Sequence, residues 1–144
     1  MSNITGNFKG MSTMQSMITL HDVPEHQLML TAGKAVLKTN DSHLNGAKHH
    51  AWGTADLIKG HGQQHGYFRQ HVSNGDSASG TYECKVTTVN GQLTMEGTWK
   101  YTRGSGQFEG ITGNGTFKGK MISPTEDETS FEGNYQMKAG TKAA

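Results

Sequence analysis

The chain has 144 residues, in which 13 basic side chains nearly balance 12 acidic ones, and it contains 20 glycines, two prolines and one cysteine. A nucleic-acid-binding protein normally has a clustered basic face, and a nearly neutral chain gives no sign of one. No apolar run approaches the ~18–20 residues that span a bilayer. We therefore expect neither a nucleic acid nor a membrane as a partner. The N-terminus lacks the pattern of a secretion signal and the lone Cys84 excludes an intramolecular disulfide, which together favour a cytoplasmic protein.

Composition and patterning predict the fold class. Glycine is about twice as frequent as in average proteins, helices tolerate it poorly, and no segment has a sustained helical period. We therefore expect an all-β protein, a small closed antiparallel β-barrel of about eight strands. We assign this barrel to residues 14–138, with residues 1–13 as an N-terminal arm that packs on a partner subunit and residues 139–144 as a C-terminal tail.

Four strands are predicted in the first half of the chain, where clusters of turn residues separate the extended segments. They comprise residues 14–21, 27–39, 48–59 and 66–73. A short helix over residues 11–15 is the alternative at the first of them.

The strand 48–59 places Trp52 and Asp56 on one face and small residues on the other. If Asp56 lies inside an apolar barrel, burial raises its pKa and the carboxyl group can act as a general acid or base. The alternative is an exposed or turn-capping carboxylate.

For the next predicted strand, residues 66–73, the question is again which face lines the barrel interior. Tyr67, Arg69 and His71 share one face, and Phe68 and Val72 lie on the other. The first set would give the interior a polar cluster that orients a ligand or moves a proton. The alternative is that this set faces solvent and that Phe68 and Val72 belong to the core.

Eight histidines raise the question of a metal site. His61 and His65 have a spacing that aligns ligands only on a helix, and His49 and His50 point to opposite faces of a strand. No cysteine or carboxylate stands at a recognisable ligand spacing. We therefore expect no metal and no other cofactor, and we place the histidines at the surface or in turns.

The segment Thr81–Tyr101 predicts a β-hairpin centred on Asn90-Gly91, the preferred pair of a type I′ turn. The turn fixes the register. One face is apolar and pairs Val86 with Met95, Tyr82 with Trp99 and Cys84 with Gly97. The other face is solvated and pairs Lys85 with Glu96, so Glu96 is expected in an exposed ion pair. No cation lies beside Cys84 in the sequence, which indicates a buried, inert thiol.

A second hairpin is predicted from residues 115–122 and 131–137, with the acidic stretch 123–129 as its loop. With Met121 opposite Phe131 across this loop, Phe117 falls opposite Tyr135 and Gly119 opposite Gly133. Two facing glycines would allow a sharp bend or a close approach of two backbones.

The segment Gly104–Gly115 reads Gly-Ser-Gly-Gln-Phe-Glu-Gly-Ile-Thr-Gly-Asn-Gly. It resembles the bend of the allene oxide cyclase-like β-barrel superfamily, in which Gly-x-Gly-x-Phe-x-Gly-hydrophobic-x-Gly recurs. Small bacterial proteins without assigned function have a similar layout, with counterparts of Gly60-His61-Gly62, Gly66-Tyr67 and Gly75-Asp76 ahead of the bend. The physical role of the segment is structural, because Phe108 and Ile111 would anchor a glycine-rich bend.

The resemblance extends over about residues 27–135 and implies an eight-stranded barrel that holds a small hydrophobic metabolite and assembles as a dimer or trimer. It further implies that any catalysis is a cofactor-independent cyclisation or isomerisation; no acid or base of the superfamily has a matching motif here. A lipocalin-like carrier and a fully packed structural barrel are the alternatives. The candidate ligand-binding residues are Trp52, Asp56, Tyr67, Arg69, His71, Tyr82, Met95, Trp99, Tyr101, Phe117 and Tyr135.

Overall fold

The computed structural model describes residues 2–138, which form nine strands and one short 3-10 turn. The strands are β1 (Ser2–Leu20), β2 (His26–Val36), β3 (Lys38–Thr39), β4 (Lys48–Ile58), β5 (His61–His71), β6 (Ser77–Val89), β7 (Gln92–Gly104), β8 (Thr112–Ser123) and β9 (Glu126–Gln136), and the 3-10 turn is η1 (Gly106–Phe108). Among these residues no helix is long and apolar enough to cross a membrane.

Eight of the strands close into an antiparallel barrel, as predicted. They are hydrogen-bonded in the order β2-β4-β5-β6-β7-β8-β9-β1, and β1 pairs again with β2 to complete the ring. The two-residue strand β3 is an addition that pairs with Gly6 and Asn7 of β1. Because the strands alternate in direction, the three two-residue turns and the β1–β2 turn lie at one end of the barrel, and the remaining connections lie at the other.

The hairpin of β6 and β7 has the predicted register. Asn90 and Gly91 have φ angles of 54° and 78°, as a type I′ turn requires. Val86 pairs with Met95, Tyr82 with Trp99, Cys84 with Gly97 and Lys85 with Glu96. The apolar face points inward, since Val86 is 1% exposed, while Lys85 and Glu96 are exposed.

The predicted register of β8 and β9 was wrong. The strand β9 begins at Glu126, so the connection is a tight turn at Pro124–Thr125 and not a seven-residue loop. Residues 126–129 were assigned to the loop because they are acidic, but they alternate as a strand, with Thr129 buried and Glu128 exposed. The observed pairs are Met121–Asp127, Phe117–Phe131 and Gly115–Gly133, which replace the predicted pairs Met121–Phe131, Phe117–Tyr135 and Gly119–Gly133.

The facing glycines Gly115 and Gly133 serve the close approach for which such a pair was expected. A Cβ atom built at either position would lie 2.6 Å from the indole ring of Trp99. The indole therefore packs against a part of the wall that has no side chains. Its Nε1 donates a hydrogen bond to the carbonyl oxygen of Thr116, at 3.2 Å.

Residues 1–13 are not a separate arm in this structure. Ser2 to Met11 pair with β9 as the first half of the continuous strand β1. Ile4 is 1% exposed and belongs to the core, because alternate residues of this segment face the interior. An extra residue, Thr13, forms a bulge where a helix over 11–15 was the alternative. The predicted tail 139–144 lies outside the described residues.

Two further boundaries differ from those predicted. The strand expected over 66–73 begins at His61, because Lys59 and Gly60 take positive φ angles and form a tight turn after β4. The strand expected over 27–39 is interrupted at Leu37, which is fully buried in the end of the barrel.

The barrel is closed at the end of the long connections. Phe108 and Ile111 from the glycine-rich segment are 0% and 2% exposed, so the structural role predicted for this segment is confirmed. They pack in one cluster with core residues from every side of that end: Ile4, Leu37, Leu44, Ala47, Phe68, Ala78, Trp99, Tyr101 and Tyr135. The other end, with its tight turns, has no comparable plug among the described residues and is open.

Candidate functional site

The open end leads into an interior cavity of about 670 Å³. This volume lies within the range of roughly 300–1,000 Å³ that is typical of small-molecule sites. Most of the wall is apolar, and its largest side chains are Phe8, Phe68, Trp99, Tyr101, Phe117 and Phe131, with Met29, Leu57, Val86 and Met95. The mouth lies between the β6–β7 and β8–β9 turns, where Gly91 and Pro124 line it.

Three polar side chains on the cavity wall, from β7, β5 and β4, form a hydrogen-bonded chain. Tyr101 Oη donates to Gln70 Oε1 at 2.6 Å, and Gln70 Nε2 lies 3.2 Å from His49 Nδ1. Burial lowers the pKa of His49 to about 4, so the imidazole is neutral near pH 7. Since Nδ1 accepts from Gln70, the ring proton is on Nε2. Burial also raises the pKa of Tyr101, so this chain is uncharged.

A second polar pair lies on the wall formed by β5 and β6. Gln64 Nε2 donates to Tyr82 Oη at 3.0 Å. Burial raises the pKa of Tyr82, so the phenol stays protonated. Its hydroxyl accepts from Gln64, and among residues 2–138 no acceptor is found for its proton, which is free to be donated to a ligand.

Asp127 is a carboxyl group that faces the cavity near the mouth. Thr129 Oγ1 donates to its Oδ2 at 2.6 Å, and its side chain lies over Gly10, where a Cβ would overlap it. Burial raises the pKa of Asp127, although the hydrogen bond from Thr129 acts in the opposite direction. The charge of Asp127 also raises the pKa of Tyr82, so the two groups interact.

The inward-facing candidates predicted from the two hairpins line the cavity or its closed end. Tyr82, Met95, Trp99, Tyr101 and Phe117 are wall residues. Tyr135 faces inward too but lies in the closed end, where its hydroxyl donates to Asp41 Oδ2 at 2.6 Å and stabilises the loop before β4. It is part of the core.

The five candidates from β4 and β5 lie on the outer surface, so their assignment to the interior was wrong. Trp52 and Tyr67 are 46% and 65% exposed. Arg69 and Asp56 are exposed, and His71 is half-buried beside His50 on the outer face. The alternative, in which Phe68 and Val72 belong to the interior and Asp56 to the surface, is the arrangement observed. The inward residues of β4 and β5 are Ala51, Ala55, Leu57, Phe68 and Gln70.

Four polar wall residues were not predicted: His49, Gln64, Gln70 and Asp127. His49 shares a strand face with Ala51, Ala55 and Leu57, a pattern that could have placed it inside. Asp127 shares a strand face with Thr129 and Phe131, but the acidic residues on either side of it resemble a loop.

Metal and thiol chemistry find little support in the described region. Among residues 2–138 no group of three or more histidine, cysteine or carboxylate side chains is placed to hold a metal ion. Cys84 is buried, and burial raises its pKa to about 11, so the thiol is unreactive.

Comparison with known proteins informs the fold alone. No protein-family model and no curated protein matches the sequence. Among solved structures, the chain resembles that of the pterocarpan synthase dirigent protein GePTS1, with 13% sequence identity and a TM-score of 0.50 over 95% of this chain and 88% of that one. At this identity the likeness concerns architecture. The chain therefore has a β-barrel fold similar to that of a dirigent protein.

Proposed function

We propose that the barrel binds a small, largely hydrophobic molecule in its interior cavity. The observation that carries this proposal is an open cavity of about 670 Å³ whose wall is mainly aromatic and aliphatic, with a few fixed polar groups. A fully packed structural barrel is disfavoured, because its side chains would fill this space.

We further propose that the barrel acts on its ligand as a cofactor-independent cyclase or isomerase of the allene oxide cyclase-like type. The support is a set of groups suited to proton transfer on an otherwise apolar wall. Asp127 can accept or return a proton, and Tyr82 can donate a hydrogen bond to a developing negative charge. His49 is neutral and can act as a donor through Nε2. A pure carrier needs no buried carboxyl group, so it is the second candidate.

The first experiment is native mass spectrometry of freshly purified protein, followed by extraction and identification of any bound compound. Displacement of a neutral fluorescent probe, Nile red, tests the cavity independently. We expect the protein to bind the probe. An Ala55→Phe variant, whose larger side chain fills part of the cavity, should bind it at least about tenfold more weakly. Failure of the correctly folded wild type to bind both probe and metabolite would rule out the cavity as a binding site.

The catalytic proposal is tested with the identified compound. An enzyme converts it to a product of equal mass, and Asp127→Asn lowers the rate at saturating concentrations of the compound about 10²-fold or more. Recovery of unchanged compound from the wild type after prolonged incubation would favour the carrier.

We also infer that the chain assembles with a second copy of itself. Seven large apolar side chains, between 37% and 65% exposed, share the outer face of β1, β2, β4 and β5: Met14, Ile18, Leu28, Leu30, Trp52, Ile58 and Tyr67. Beside them, the backbone of residues 16–20 in β1 pairs only with β2 within the described region, so its other edge is free. Two copies can pair these edges antiparallel and bury both apolar faces.

A further inference from the structure

Asp127 brings a formal charge into the cavity without a counter-ion. Its hydrogen-bond partner is the uncharged hydroxyl of Thr129, at 2.6 Å. No salt bridge to Asp127 is formed within residues 2–138. A carboxylate that is partly removed from water and left unpaired is costly, and a cation placed beside it recovers that cost.

Among residues 2–138 the rest of the lining contains no interior cation. Lys34 borders the cavity, but it pairs in register with the outward-facing His50 and its side chain is exposed. His49 is half-buried and neutral, and the remaining polar groups of the lining are mainly amides and hydroxyls. A carboxylate ligand would therefore find no opposite charge inside and would meet the like charge of Asp127 near the mouth.

The surroundings of Asp127 suit an organic cation more than a hydrated metal ion. Met121 lies opposite Asp127 on β8. Further into the barrel, Phe8 pairs with Thr129 and Phe131 lies four residues beyond Asp127 on β9, with the two ring centroids 6.2 Å apart. These aromatic rings can accept the apolar part of a molecule whose cationic end lies at Asp127. Among the described residues no further histidine, cysteine or carboxylate side chains join Asp127 in a group of three that could hold a metal ion.

We propose that the cavity selects hydrophobic ligands that carry a basic amine, with the Asp127 carboxylate as the counter-ion of the ammonium group, and that it rejects carboxylates of the same skeleton. This proposal rests on the proposed function, because it specifies the ligand class of the same cavity. It assigns Asp127 a binding role that precedes any proton transfer.

The test uses three probes with one skeleton: 2-naphthylmethylamine, 2-naphthylmethanol and 2-naphthylacetate. Their dissociation constants are measured at neutral pH by displacement of Nile red. For the wild type we expect the amine to bind more tightly than the alcohol, and the carboxylate most weakly, with at least about a tenfold difference between amine and carboxylate. In Asp127→Asn the amine should lose this advantage while the alcohol binds as before.

Glu128 supplies the matched control, since it is the next residue of β9 and faces solvent. Glu128→Gln removes the same charge from outside the wall, and the preference for the amine should persist. Equal affinities of amine and carboxylate for the wild type, or an unchanged preference in Asp127→Asn, would overturn the amine selectivity while leaving the cavity as a binding site. If the wild type binds Nile red and none of the three probes, the selectivity is also overturned. Absence of Nile red binding would refute the proposed function itself.

Discussion

His26 lies at the start of β2 between two carboxylates. Its Nδ1 is 2.8 Å from Asp22 Oδ1 and its Nε2 is 2.6 Å from Asp56 Oδ1. The hydrogen bond to Asp22, followed by the one to Asp56, raises the pKa of His26, and the bond with His26 lowers the pKa of Asp22. An imidazolium satisfies both carboxylates at once, because both of its nitrogens donate. The group joins the β1–β2 turn to β4.

This arrangement predicts a pH-dependent contribution to stability. The pKa of His26 is raised in the folded state, so its stabilisation is complete below the ordinary value of 6.5 and is lost as the pH rises through the folded pKa. The contribution of Asp22, whose pKa is lowered, is present above 3.8 and is lost as the pH falls through the folded pKa. The difference in Tm between wild type and His26→Gln should therefore be largest at about pH 4–6.5 and shrink above it.

Thermal unfolding followed by circular dichroism between pH 4 and about pH 9 measures this difference. His61→Gln, at an exposed position of β5, is the control and should show no such profile. A Tm difference for His26→Gln that stays constant over the whole range would contradict the prediction.

Gln70 is a buried polar residue whose loss should be costly for stability. It is 6% exposed, and its amide joins Tyr101 Oη to His49 Nδ1. Gln70→Leu keeps the volume but leaves both partners unsatisfied, so we expect the free energy of unfolding to fall by about 1–3 kcal/mol. Urea unfolding measures this change. Gln63→Leu, on the outer face of the same strand, should change it by less than about 0.5 kcal/mol, and equal effects of the two substitutions would refute the argument.

The pairing of β8 with β9 depends on the absence of side chains beneath Trp99. A methyl group at Gly133 would lie 2.6 Å from the indole ring and against the backbone of β8. We expect Gly133→Ala to reduce the free energy of unfolding by about 1–3 kcal/mol through overpacking. The fluorescence of Trp99 should also change, because the ring must move. Asn134→Ala, at the next and exposed position, should have little effect, and a Gly133→Ala variant as stable as wild type would show that the ring has room.

The elements could be predicted from sequence where the turn chemistry is unambiguous. Asn90-Gly91 permits one tight turn, and the register of β6 and β7 followed from it. Pro124-Thr125 carries a weaker signal, and the acidic residues after it resemble a loop, so the register of β8 and β9 was missed. The facing of β5 could not be decided, because each of its faces mixes aromatic and polar residues. Closure of the barrel decides it, by placing Phe68 against Tyr101 on the inner wall, over Gly80 of the strand between them.

At the scale of the whole molecule, one end of the barrel is packed with side chains and the other end opens into the cavity. The long connections and η1 fill one end with side chains, so the strands can leave space at the other without loss of the core. The cavity depends on this division between a packed end and an open end. Its wall residues come from strands that lie far apart in the sequence. The sequence therefore indicated which side chains of the β6–β7 hairpin face inward but gave no measure of the space between them.

The exposed outer face predicts that the chain is not a monomer. Leu30 is 49% exposed near the middle of this face and close to the free edge of β1. A charged residue there would be desolvated on assembly, so Leu30→Glu should dissociate the oligomer while the barrel remains folded. Size-exclusion chromatography with light scattering should give about twice 15.6 kDa for the wild type and a single chain mass for the variant.

The control for this experiment is Val89→Glu, which places the same charge at a 59% exposed position at the end of β6, away from the apolar face. This variant should keep the mass of the wild type, because its side chain is exposed in both the single chain and the assembly. Nile red binding by the dissociated Leu30→Glu variant should persist, since the cavity is formed within one barrel. A wild type that is monomeric at every concentration tested, or a Val89→Glu variant that dissociates as readily as Leu30→Glu, would exclude this face as the site of self-association.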